Sequence, residues 1–144
     1  MRSFTPFILS LLTATTATLA TRSVDKHVIS LTEATFYDFM EEHPLVLANF
    51  YAPWCRHSKT LTPKFEAAAA ELKNDNIPLV KVDCTRNEGL CNDFMIRAYP
   101  TLKVFRGPES HEPYYGGREP ESIISFMIDE SIPEVGGFYY QSYD

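Results

Sequence analysis

Only three cysteines, Cys55, Cys84 and Cys91, occur among the 144 residues. In an oxidising compartment an odd number leaves one thiol over, and the count does not say which. The cysteines and the four histidines lack metal-ligand spacing, so no zinc site is expected. His27, His43 and His111 read as surface or packing residues. No Asn-x-Ser/Thr sequon is present, which removes the expectation of N-glycosylation. Beyond the first twenty or so residues no apolar run is long enough to span a membrane. Charges are dispersed with no long run of one sign, and the formal net charge is −6, so there is no electrostatic case for nucleic-acid binding. The length suits one domain of ordinary size.

The N-terminus reads as a segment to be removed. Arg2 is a short positive start, Phe7 to Leu12 a brief apolar core, and Thr18-Leu19-Ala20 places small residues at −3 and −1 for cleavage after Ala20. The apolar run is too short to cross a bilayer, so residues 1–20 are expected to be a secretory signal peptide, with an N-terminal anchor as the alternative. A single domain is then expected over residues 21–133. Gly136-Gly137 and the following residues to Asp144 are expected to form a flexible tail over 134–144.

The stretch Asn49-Phe50-Tyr51-Ala52-Pro53-Trp54-Cys55-Arg56-His57-Ser58-Lys59 organises the rest. Leu45 to Tyr51 is apolar on both faces, as a central strand covered by helices should be. A helical pattern follows from about Lys59 to Leu72, with Leu61, Phe65, Ala68, Ala69 and Leu72 as its stripe and Pro63 inside it. Cys55 therefore falls where a strand stops and a helix starts. Unpaired N–H groups and partial positive charge at a helix N-terminus favour thiolate, the nucleophilic form. Arg56 adds a fixed cation and His57 a titratable one. The plain alternative is a small buried hydrophobe.

Elsewhere, His27 to Leu31 reads as a strand. Thr32 caps a helix through Phe36, Phe39 and Met40 that stops before Pro44; Thr35 stands where a full capping box would have Glu. Leu79–Asp83 is a strand, Asn87–Met95 a short helix, Thr101–Phe105 a strand by its alternation, and His111–Tyr115 a strand whose Pro113 suggests an edge. Glu119–Glu130 is a final helix with Ile123, Ile124, Met127 and Ile128 inward. The order is that of an α/β fold with a mixed central sheet flanked by helices.

Phe50-Tyr51-Ala52-Pro53-Trp54-Cys55 with His57 resembles the active site of the protein disulfide isomerase family, whose domains have the thioredoxin fold. The resemblance covers roughly residues 25–132 and is nearest to the first domain of fungal protein disulfide isomerases. That family carries Cys-Gly-His-Cys where this chain has Cys-Arg-His-Ser, so the second, resolving cysteine is replaced by Ser58. The family's buried Glu, which shuttles protons and pairs with a lysine matching Lys81, is replaced by Asn49. Cys-Arg-x-Ser with Asn49 is also similar to monothiol members that capture clients and oxidases in the early secretory pathway. The resemblance implies that Trp54, Tyr99 and Pro100 contact client peptide, with a cis Tyr99–Pro100 bond facing Cys55. It implies that Arg118 is a loop arginine able to swing toward the thiol. It implies a structural disulfide between Cys84 and Cys91; two buried free thiols remain the alternative.

The function implied is thiol–disulfide exchange on unfolded or misoxidised secretory polypeptides through Cys55 alone, without a cofactor. Cys55, Arg56, His57, Ser58 and Arg118 form the expected catalytic set. A thiol oxidase is a further implied partner. The expected reaction is isomerisation, because a serine cannot resolve a mixed disulfide or hold an oxidising equivalent. One alternative is a non-enzymatic module that retains clients covalently or through its peptide groove; another is a redox-dead peptide-binding domain. The expected compartment is the endoplasmic reticulum lumen. The chain ends Gln-Ser-Tyr-Asp rather than in a Lys-Asp-Glu-Leu-type signal. Secretion, retention by a partner, or a shortened form of a longer protein are the corresponding expectations.

Overall fold

A computed structural model describes residues 26–133; the expected leader and tail lie outside them. The elements are β1 (Ile29–Leu31), α1 (Glu33–Glu42), β2 (Val46–Tyr51), α2 (Arg56–Leu72), β3 (Leu79–Asp83), α3 (Glu88–Asp93), β4 (Thr101–Phe105), β5 (His111–Pro113) and α4 (Pro120–Ser131). The sheet order is β1-β3-β2-β4-β5. β1, β3 and β2 run parallel, while β4 and β5 are antiparallel additions. This is the thioredoxin fold.

β2 is the centre of the sheet, and its two faces serve two cores. Leu47 faces Leu61, Phe65, Leu72, Ile123 and Met127, the inner stripes of α2 and α4. Val46, Ala48 and Phe50 face Phe36, Met40, Leu90 and Phe94 from α1 and α3. The alternation follows from the two-residue period of a strand. It places Asn49 on the α2 side, paired in register with Lys81 of β3. On the opposite face Phe36, Phe94 and Phe105 pack at centroid distances of 5.1 to 5.3 Å, in tilted or edge-to-face geometry that suits their quadrupoles.

Local chemistry explains the boundaries. The Thr32 N–H donates to the Thr35 hydroxyl at 3.0 Å, so Thr35 takes the place of the Glu in a capping box. α2 starts at Arg56, three residues before the expected start at Lys59 and five before the first stripe residue, Leu61, because its first turn is polar. Pro63 sits inside α2 without ending it; the ring withdraws the N–H that would reach the Lys59 carbonyl. The last strand is shorter than its sequence pattern. Pro113 closes β5 on the sheet edge, and Tyr114 turns inward, its hydroxyl donating to Gly117 O at 2.7 Å. Gly107 in the β4–β5 turn has φ of +85°, where a side chain would be strained. Among the described residues no helix is long and apolar enough to cross a membrane.

Candidate functional site

Cys55 is the N-cap of α2 and is a free, partly exposed cysteine. Its carbonyl accepts the Lys59 N–H at 3.1 Å, closing the first helical turn. Its thiol donates to Tyr99 O at 3.5 Å. The helix directs unpaired N–H groups at the sulfur. The Ser58 N–H is the largest cause holding the thiol below its ordinary range; partial removal from water opposes it, and the His57 N–H and the Ser58 hydroxyl add to it. The Arg56 and His57 side chains stand exposed and neither hydrogen-bonds Sγ. The lowering therefore comes from the N–H groups of the first turn with the Ser58 hydroxyl, not from those two side chains.

Ser58 is 2% exposed, and its Oγ has no hydrogen-bond partner. With the sulfur ionised, the same hydroxyl favours the charge. Asn49 is 4% exposed and its Oδ1 is likewise unpartnered. Both residues line a cavity of about 230 Å³ beneath the site, together with Thr62 and Lys81. The arrangement is set by spacing. Ser58, Thr62 and Glu66 follow at i, i+4 and i+8 on α2, so they form one polar row facing β2 and β3.

Glu66 is the site-proximal residue that sequence reasoning missed. Its Oε1 lies 3.8 Å from Lys81 Nζ, with both side chains largely buried. Its Oε2 accepts the His27 and Val28 N–H groups at 3.0 and 3.1 Å. Lys81 thus finds its carboxylate on the helix rather than on β2, where Asn49 stands. The signal available in the sequence was the four-residue step from Ser58 through Thr62 to Glu66, which puts the acid near the side of α2 that buries Ser58.

The Tyr99–Pro100 peptide bond is cis and brings Tyr99 O to Cys55. Trp54 is 69% exposed beside it, its ring edge-to-face with Tyr99 at 6.0 Å. Arg118 does not reach the sulfur: its Nη2 donates to Pro100 O at 3.3 Å, bracing the proline loop. Cys84 and Cys91 form a disulfide with Cα atoms 5.7 Å apart. It ties the end of β3 to α3. The structure therefore gathers Trp54, Cys55, Ser58, Tyr99 and Pro100 in one place, with Arg118 one contact away and Asn49 and Lys81 beneath.

A free thiol capping a helix, set against a cis-proline loop on a five-stranded mixed sheet, defines a thioredoxin-fold domain. The thioredoxin family model matches residues 27–129, and the chain belongs to that family. It is 56% identical over 135 residues to a protein disulfide-isomerase of Aspergillus niger, covering 94% of this chain and 26% of that protein. It is 40% identical over 113 residues to the Saccharomyces cerevisiae protein disulfide-isomerase, covering 77% of this chain and 22% of that one. The chain spans about a quarter of the length of the curated relatives it matches. Among solved structures, the first thioredoxin domain of mouse protein disulfide-isomerase A4 superposes with a TM-score of 0.68 at 30% identity, covering 83% of this chain and 86% of that one. Human ERp44 gives 0.69 at 28% identity, covering 73% of this chain and 29% of that one.

Proposed function

We propose that this chain carries out thiol–disulfide exchange on folding polypeptides of the secretory pathway, through Cys55 alone and by way of a mixed disulfide. The observation that carries the reading is the pairing of a free, partly exposed Cys55 with a buried Ser58. The Cys55 thiolate attacks one sulfur of a client disulfide. A Cys55–client disulfide forms and the client's other sulfur leaves as thiolate. That thiolate, or another thiol of the client, then attacks the mixed disulfide and returns Cys55 as thiolate. No net electrons are transferred, so the reaction is isomerisation. Trp54, Tyr99 and Pro100 hold the client chain beside the sulfur. The Ser58 hydroxyl and the first-turn N–H groups hold the leaving charge on Cys55.

The similarity to protein disulfide-isomerases supports this reading and the endoplasmic reticulum lumen as the compartment. Clients are unfolded or misoxidised polypeptides, and a thiol oxidase is a further partner of the same chemistry. The second reading, covalent retention of clients, is favoured by the same two residues. Neither Ser58 nor Asn49 can release an adduct from within. Refolding of a scrambled disulfide protein separates the two. Turnover that disappears in Cys55→Ser supports isomerisation, and a stable adduct on Cys55 without turnover supports retention. Recovery of native protein at the same rate with Cys55→Ser, together with no adduct on Cys55, would contradict both.

A further inference from the structure

On the Trp54 side of Cys55 the surface folds into a groove of about 330 Å³, large enough for one long side chain. Two aromatic residues form one wall. Trp54 is largely exposed, and Tyr99 meets it edge to face. Thr85, Glu88 and Asn92 supply its polar lining, and Ile96 and the Cys84–Cys91 bridge complete it. Glu88 carries the one carboxylate among the lining residues, and no lysine, arginine or histidine accompanies it. Its backbone is held in place. It occupies the first turn of α3, which the Cys84–Cys91 disulfide ties to β3. The loop before it is held by Asp83, whose Oδ1 accepts the Thr85 N–H at 2.9 Å, and by Asn87, whose amide donates to Asp83 O at 2.9 Å and whose Oδ1 accepts the Glu33 N–H at 2.8 Å.

The groove adjoins the reacting atom, since Tyr99 is both part of its wall and the residue whose carbonyl lies 3.5 Å from Cys55 Sγ. A residue next to the captured client cysteine is about 3.8 Å away along the chain, measured between Cα atoms. Its side chain is therefore within reach of this groove. Aromatic rings and a carboxylate lining one groove attract a cation on an aliphatic stem, and the same carboxylate repels an acidic side chain. We propose that this groove is a subsite for a lysine or arginine flanking the client cysteine, with Trp54 and Tyr99 against its stem and Glu88 against its charge. The proposal rests on Cys55 being the exchanging thiol and names which clients that thiol prefers.

The test uses the full chain and three matched peptides. Each has one cysteine, carried as its disulfide with 2-mercaptoethanol, and arginine, glutamine or glutamate beside it. Bis(2-hydroxyethyl) disulfide serves as a neutral small substrate. Mixed-disulfide formation on Cys55 is expected to be about five-fold faster with the arginine peptide than with the glutamine peptide, and slowest with the glutamate peptide. Glu88→Gln should remove the preference and Glu88→Lys should invert it, with the rate on the neutral small disulfide unchanged. Glu71→Lys, an exposed change of equal charge at the far end of α2, should leave the preference in place. Equal rates for the three peptides, or a preference that survives Glu88→Lys, would overturn the subsite. If equal peptide rates accompany normal reaction with the neutral disulfide, the subsite fails and the exchange chemistry stands. If Cys55 reacts with none of the four, the exchange reading fails and the subsite falls with it.

Discussion

Replacing Ser58 by cysteine should convert a long-lived Cys55 adduct into a transient one. Side chains three apart on a helix have Cβ atoms about 5–6 Å apart, and a disulfide needs about 3.5–4.5 Å, so a small tightening of the first turn suffices. The Ser58 hydroxyl is already among the groups acting on the Cys55 sulfur. A thiol held in that place attacks the mixed disulfide from within. Against external thiol at about 1 mM, an effective concentration of about 1 M shortens the adduct's life about a thousand-fold. Burial limits the gain. At 2% exposure the new thiol is pushed up by lost hydration, and Asn49 cannot take its proton. Ser58→Cys alone should therefore release the adduct more slowly than Asn49→Glu/Ser58→Cys, which supplies a carboxylate facing the same cavity. The assay is a rapid-quench time course of a Cys55-linked peptide read by intact mass. An adduct lifetime in Ser58→Cys equal to that of the original chain would refute the claim that Ser58 is what makes Cys55 unable to free itself.

Further outcomes follow from the packing. Cys84→Ser/Cys91→Ser should lower stability by about 2–3 kcal/mol, the chain-entropy value for so short a loop, measured by urea denaturation. An unchanged midpoint would show that the bridge does not constrain the unfolded chain. Glu66→Ala strands the His27 and Val28 N–H groups and Lys81, and should cost about 1–3 kcal/mol. Hydrogen exchange at His27 and Val28 should rise with it, and unaltered exchange there would count against the anchoring role. His111 is packed on Phe94 and Phe105, and burial with the nearby Lys103 charge holds its imidazole below the ordinary range. The folded state then binds the proton less readily than the unfolded chain, so this contribution is present above pH about 6.5 and is lost as pH falls below it. NMR titration of His111 should place its midpoint below that of a free histidine; a midpoint at or above it would contradict the packing.

The central strand and the helix stripes were legible because burial on both faces of β2 and the i, i+4 pattern of Leu61, Phe65, Ala69 and Leu72 follow directly from residue type. The start of α2 was not, because its first turn is Arg56-His57-Ser58 and carries no apolar signal. The helix there is set by the Cys55 carbonyl and Lys59 N–H rather than by hydrophobic period. Thr35 was read as an incomplete cap, yet its hydroxyl supplies the missing acceptor. At the site, residue types located the thiol and the helix N-terminus whose N–H groups act on it, but not that the Arg56 and His57 side chains make no hydrogen bond to the sulfur. Charges adjacent in sequence point to solvent, while the N–H groups of the turn converge on the sulfur. The polar row Ser58, Thr62, Glu66 shows the same limit. Lys81 has its carboxylate partner fifteen positions back in the chain, and only the packing of α2 over β3 brings them together.

The central claim is that the first turn of α2 holds the Cys55 thiol below its ordinary range. The direct measurement is the rate of Cys55 alkylation by iodoacetamide as a function of pH, on the full chain with the Cys84–Cys91 bridge intact and Cys55→Ser as the blank. The account predicts a single midpoint below the ordinary thiol value of about 8.5, carried by the backbone and therefore retained in Arg56→Ala and His57→Ala. A midpoint at or above that value, or one that rises to it when either side chain is removed, would contradict the account.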